Sequence, residues 1–220
     1  SGSKAVSFDI KKVEGYRNFC NKLWNASQFV LSKLDDEDAK PILAAKIKLE
    51  VNRWIQTELQ ACIKAVDFAM DTFRFDLAVK AIYEFVWNEF CDWYLELTKP
   101  ILQSDENLVE EKNETKKTLI TVLEIILRLI HPFAPFISEE IWQKIPADYK
   151  AAGSYIMVTN YPRPDSKLAD NLSREKILWL KETVTAIRNI RGEMDISPVK
   201  KIPIIISRGT EEDRLNVETF

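Results

Sequence analysis

The sequence predicts a mainly α protein, an antiparallel helical bundle with a small α/β appendage at its C-terminal end. Three observations carry this expectation. Apolar residues recur at steps of three and four through four long segments between Lys11 and Ile130. Only five glycines interrupt 220 residues, and most of the nine prolines lie beyond Ile130. After Pro146 two apolar runs of strand length, Tyr155–Val158 and Ile202–Ile206, flank one further helical pattern.

The first helix is expected from Lys11 to Leu34, with Tyr16, Phe19, Cys20, Leu23, Trp24, Ser27, Val30, Leu31 and Leu34 on its apolar side. Asp35–Asp38 reads as a turn, and Pro41 opens a second helix over 42–73. That helix buries Ile47, Val51, Trp54, Ile55, Leu59, Cys62, Val66, Met70 and Phe73. A corner follows, with Asp76 as N-cap of a third helix over 77–102. Its apolar stripe runs through Val79, Ile82, Tyr83, Val86, Trp87, Phe90, Tyr94 and Leu97. Residues 103–117 are polar and read as a surface loop grading into a fourth helix over 114–130. That helix is apolar on most sides and belongs at the bundle centre. His131-Pro132 ends it, Pro135 delays any restart, and a short helix follows from Ser138. A last helix is expected over 174–191, with Ile177, Leu180, Val184 and Ile187 inward. The expected organisation is therefore a tag remnant or linker at 1–7, a helical bundle at 8–146, an α/β extension at 147–206 and a truncated, disordered tail at 207–220.

Bulk composition excludes several classes of function. Hydrophobic content of 46% and charged content of 30% are ordinary for a globular chain. The longest apolar run, residues 119–130, contains Glu124 and Arg128 and is too short to span a bilayer. Cys20, Cys62 and Cys91 are far apart, each in an apolar helical stretch. With one histidine in the chain they read as reduced buried thiols of a cytoplasmic protein and not as metal ligands. No glycine-rich phosphate loop is present. His131 reads as a helix-end cap or packing residue, and Glu139-Glu140 as first-turn acids complementing the helix dipole. No catalytic residue is expected.

The polar side of the first helix is unusual. Arg17, Asn18, Asn21, Lys22, Asn25 and Gln28 share it. Asn is a poor helix former because its amide competes for backbone hydrogen bonds, so a merely wet face would more cheaply carry Glu and Lys. Amide and cationic donors suit base edges and phosphate oxygens; a solvated surface accounts for the same pattern. Net charge is −3, which disfavours non-specific nucleic-acid binding, yet six Lys or Arg face two acids through Leu34. A second basic set is Arg188, Arg191, Lys200 and Lys201, for which a solvated helix end is an equal reading. Trp24, Trp54, Trp87, Trp93 and Trp142 are potential stacking platforms, but helical spacing puts at least four of them in the core.

Four segments resemble a known family. YRNFCNKLWNASQFVL (16–31) resembles the opening helix of the anticodon-binding domain of class I aminoacyl-tRNA synthetases, and within them of the valyl branch. FRFDLAVKAIYEFVWNEFCDWYLELTKPIL (73–102) resembles that branch's central helix. TLITVLEIILRLIHPFAPFISEEIWQKI (118–145) resembles the next helix pair, and AIRNIRGEMDISPVKKIPIII (186–206) follows in order. The resemblance covers roughly 8–206. It implies a tRNA-binding fragment, a monomer joined in cis to a catalytic domain, within an enzyme that joins valine to its tRNA using ATP and magnesium. The ATP-binding signatures of that enzyme are absent here, so the fragment itself should hold no cofactor and be inactive alone. It also implies Arg17, Asn18, Asn21, Lys22 and Asn25, with Arg188 and Arg191, as tRNA contacts. Valine anticodons share a middle adenine and a third-position cytosine for such a surface to read. An isoleucyl or leucyl origin, or a helical protein-interaction module, is the alternative.

Overall fold

The structure, a computed structural model, describes residues 10–34, 47–104, 108–151, 153–197, 199–205 and 207–220, with 10–13 as backbone only. The tag remnant, the acidic turn, Pro41, the start of the second expected helix, Pro198 and Ile206 lie outside those residues. The chain divides into two compact units, up to Ala169 and from Asp170 onward. This division falls later than the expected end of the bundle at 146.

The first unit is helical. It contains α1 (Ile10–Leu31), α2 (Glu50–Asp71), α3 (Phe75–Glu84), α4 (Leu95–Gln103), α5 (Val109–Ile130) and α6 (Pro135–Trp142). Between α3 and α4 the chain stays helical through a wider-turned π segment, Phe85–Tyr94, in which Leu95 N–H reaches back five residues to Phe90 O. The wide turns have a packing consequence. Ala78, Ile82, Val86, Phe90, Tyr94 and Thr98, a strict stride of four, are all buried. In an ideal α-helix that stride drifts by about 40° per step; wider turns counter the drift and keep one straight buried stripe. Val79 and Tyr83, expected on the apolar stripe, are exposed.

α5 lies at the centre, with Leu119, Ile120, Leu123, Ile126 and Leu127 fully buried, and contacts α1, α2, α3, α4 and α6. It starts at Val109, within the expected loop. Its Glu114 caps another helix. α2 has no side-chain cap of its own; the Glu114 carboxylate accepts Lys48 N–H and Leu49 N–H, each at 2.9 Å, and the Asn52 amide at 2.9 Å. Tyr94 closes the network by donating to Asn52 Oδ1 at 2.7 Å. Burial, with the Glu114 charge beside it, pushes the Tyr94 phenol well above its ordinary range.

Several local expectations are corrected. α2 ends in a Schellman-type turn, Arg74 N–H to Ala69 O at 2.7 Å and Phe73 N–H to Met70 O at 3.1 Å, with Phe73 left-handed at φ 56° and largely exposed instead of core. Arg74, not Asp76, takes the N-cap position of α3, and Asp76 receives both guanidinium donors of Arg74. Pro135 does not delay α6 but opens it, where its missing N–H costs nothing. The His131 ring meets Ser138 Oγ at 2.9 Å instead of capping carbonyls. The same hydroxyl lies 2.8 Å from Ala134 O.

Tyr155–Val158 is not a strand but holds a short 3-10 turn, and residues 147–169 fasten to the bundle. A part-buried Arg128–Glu124 pair does this work: Arg128 also donates to Asn160 O at 3.0 Å, and Glu124 accepts Ala151 N–H at 3.1 Å. Glu139 likewise accepts Ile156 N–H at 3.1 Å, and Glu140 pairs with Lys144, so neither acid sits in the first turn of α6. Tyr161 donates to Leu129 O, and burial pushes its phenol up to about 12.

The second unit contains α7 (Asn171–Glu193), capped by Asp170, and α8 (Glu211–Thr219). The α8 segment was expected to be disordered. A reciprocal capping box orders it, with Thr210 and Asp213 each accepting the other's backbone N–H, and Trp179 Nε1–H of α7 donating to Asp213 at 2.7 Å. Residues 201–205 form no helix and no strand, so the expected α/β appendage is absent among the described residues.

Candidate nucleic-acid interface

The polar side of α1 is open. Arg17, Asn18, Asn21, Asn25 and Gln28 are exposed and bond to no other described side chain, while Phe19, Leu23, Ala26, Ser27 and Val30 are buried beneath them. The 3.6-residue period separates the two sides as the sequence suggests. On the helix surface Arg17, Asn21, Trp24 and Gln28 form one stripe, and Asn18, Lys22 and Asn25 the adjoining one.

Lys22 differs from its neighbours. It is half-buried, its ammonium lies 2.5 Å from Asp92 and 3.8 Å from the centre of the Trp87 ring. Trp87 in turn stacks on Tyr83 (5.4 Å, 17°), and Tyr83 on Phe19 (5.3 Å, 28°). One border of the amide ridge is thus an aromatic column ending in a lysine. The other border is Trp24, with Lys144, just past the end of α6, over its ring at 4.1 Å. Of the five tryptophans expected mostly in the core, Trp54 and Trp142 are fully buried; Trp24, Trp87 and Trp93 are half-buried. Lysine stems cover what helices do not.

With Lys22 paired to an acid, Arg17 is the unpaired cation of the ridge among the described residues. The ridge therefore offers mostly neutral donor–acceptor amides beside one guanidinium, which favours reading base edges over gripping backbone charge. Sequence reasoning missed Asp92, Tyr83 and Lys144 as borders. These are long-range partners with no local signature, and Asp92 is seventy residues from Lys22.

The second basic set lies in the other unit. Arg188 is exposed on α7. Arg191 donates to the carbonyl of Lys200 and so braces its own loop. Arg188, Arg191, Asp195 and Ser197 line a hollow of about 630 Å³; Lys200 and Lys201 are exposed. No cluster of metal-ligating side chains occurs among the described residues, and no described helix is long and apolar enough to cross a membrane.

The family profile described as the anticodon-binding domain of tRNA ligases matches residues 52–206. The chain belongs to this family. Curated relatives agree. It is 46% identical over 212 residues to the valine–tRNA ligases of Legionella pneumophila strains Paris and Lens. The match covers 96% of this chain but 23% of theirs, so the chain spans about a quarter of those relatives' length. Among solved structures, LeuRS of Agrobacterium radiobacter K84, in a ternary complex with tRNA and LeuAMS, is similar over 91% of this chain and 25% of that one. Its TM-score is 0.51 and its identity 21%. That likeness concerns the fold, and it agrees with a helical anticodon-binding domain.

Proposed function

We propose that this domain holds the anticodon loop of a valine tRNA on the open side of α1, as the tRNA-gripping part of a valine–tRNA ligase. The observation that carries the reading is the ridge itself. Three exposed asparagines and an unpaired arginine stand on a helix whose opposite side buries Phe19, Leu23, Ala26 and Val30. An unpaired adenine or cytosine presents one donor and one acceptor along its edge, which a carboxamide matches. Asn18, Asn21 and Asn25 contact base edges, and Arg17 meets phosphate or stacks beneath a base. Lys22 stiffens the ridge through Asp92 and Trp87 and lends its remaining donors to the RNA. Arg188 and Arg191 are a secondary contact set.

The whole protein, on this reading, attaches valine to its tRNA in the cytoplasm. ATP and magnesium serve a catalytic part joined to this domain in cis; the 220 residues alone are a monomer without ligase activity. The relatives named valine–tRNA ligases at 46% identity support valine over leucine or isoleucine.

Binding of valine tRNA, measured against salt with the wild-type domain and with Arg17→Ala, tests the proposal. Loss of Arg17 weakens binding by about 1 to 3 kcal/mol, reduces the salt slope by about one and leaves the melting temperature unchanged. Unaltered affinity would exclude the α1 ridge as the tRNA surface.

A further inference from the structure

Asp92 is an odd residue to stand at the border of an RNA surface. It belongs to the π segment Phe85–Tyr94, whose Phe90, Cys91 and Tyr94 are buried, while its own side chain is exposed and reaches α1. A carboxylate repels phosphate, so a surface that only gripped an RNA backbone would gain by losing it. The acid is nonetheless held in place. Lys22 meets it at 2.5 Å, and the same ammonium sits 3.8 Å from the centre of the Trp87 ring. Glu96, one turn further along, takes Lys99 instead.

Between a ring and a carboxylate, Lys22 is a fixed cation and not a freely solvated one. Its ammonium has three donors and uses one on Asp92 Oδ1. Among the described residues Asp92 bonds to Lys22 alone, so its Oδ2 is an open acceptor. The pair presents an acceptor and a donor side by side, in a fixed order.

That order matches one class of base. Along its pairing edge cytosine sets an amino donor beside a ring acceptor; uracil and guanine set a carbonyl acceptor beside a ring N–H. Against Lys22 and Asp92 the first arrangement makes two charge-assisted bonds. The second turns its carbonyl to the carboxylate and its N–H to the ammonium, two repulsions in place of two bonds. Adenine shares the order of cytosine. Carboxamides suit adenine, however, and a carboxylate suits the cytosine amino group, and the ridge holds both kinds of group.

We propose, resting on the reading of α1 as the anticodon surface, that the Lys22–Asp92 pair reads the third anticodon base of valine tRNA. Asp92 Oδ2 accepts from the cytosine amino group, and Lys22 donates to the cytosine ring nitrogen N3. Asp92 is thus a specificity-determining residue. It excludes uridine and guanosine at that position and adds nothing to the hold on the RNA backbone.

Binding of the 220-residue chain to three RNAs tests this: valine tRNA, the same tRNA with its third anticodon cytosine changed to uridine, and the same tRNA with its middle adenine changed to uridine. The wild-type chain favours valine tRNA over the third-base variant at least about tenfold. Asp92→Asn, whose amide donates as well as accepts, brings that preference to within about twofold and leaves the middle-base preference intact. A melting temperature within a few degrees of wild type shows that the variant folds. If Asp92 only positioned Lys22, the variant would weaken all three RNAs in parallel, and that result would overturn the proposal. So would loss of the middle-base preference with the third-base preference retained, which would assign the pair to the adenine. A wild-type chain indifferent to both base changes would instead remove the anticodon surface itself, and the proposal with it.

Discussion

Glu114 illustrates what single residues contribute here. It is a buried acid in the central helix, and it accepts from three donors at the start of α2, which has no side-chain cap of its own. Replacing it with Ala leaves the part-buried N–H groups of Lys48 and Leu49 without that acceptor and the buried Asn52 amide with only Thr115 Oγ1. The expected loss is about 2 to 4 kcal/mol in a denaturant melt, whereas removal of an exposed acid such as Glu110 changes stability by less than about 0.5 kcal/mol. Lys22 and Arg17 separate in the same way. Both read as RNA-facing cations in the sequence. Lys22→Ala breaks an ion pair and a cation–π contact, so it lowers stability as well as affinity, by about 1 kcal/mol in a melt. Arg17→Ala acts on affinity alone. The sequence distinguished exposed from buried positions on α1 through its period, but not a bound lysine from an unbound arginine, because the deciding partner lies on another helix.

At the scale of elements, helices were legible and their ends were not. α1, α2, α5 and α7 carry long periodic patterns that any buried helix must carry. The boundaries depend on caps supplied from afar or on unusual backbone. Phe73, left-handed and largely exposed, holds the α2–α3 corner at a cost that glycine would not bear. Phe73→Gly is expected to raise stability by about 1 kcal/mol, read as a higher melting temperature, since only an edge contact with Phe75 is lost. α8 shows the reverse case. Its polar sequence reads as a disordered tail, yet Thr210 and Asp213 form a capping box. The Thr210 backbone N–H, the Thr210 hydroxyl and the Trp179 indole hold the Asp213 carboxyl below the usual carboxylate range. A lowered native value means the stabilisation is complete above the ordinary carboxylate pKa of about 3.9 and lost as pH falls through the native value. The Trp179 indole N–H resonance should therefore hold steady from neutral pH to about 4 and shift only below it. Movement near pH 6 would exclude Asp213 as its partner. The two expected strands failed for another reason. A strand is a property of a pair, and the segment 201–205 has no described partner in this chain.

For the whole molecule, the sequence conveyed a bundle built around α5 and a polar ridge on α1, and both are present in the first unit. Residues 147–169 read as part of an appendage because their pattern is irregular. Hydrogen bonds from Glu124, Arg128 and Tyr161, spread across long sequence separations, join them to the bundle instead. The central claim is that this bundle distinguishes tRNAs by their unpaired anticodon bases through neutral amides. Its most direct test is a salt-titrated competition between valine tRNA and the same tRNA with its middle anticodon adenine changed. The account predicts that the change weakens binding at least about tenfold at every salt concentration, with the same salt slope, and that Asn21→Ala and Asn25→Ala together erase the difference. Equal binding of the two RNAs by the wild-type domain would contradict it.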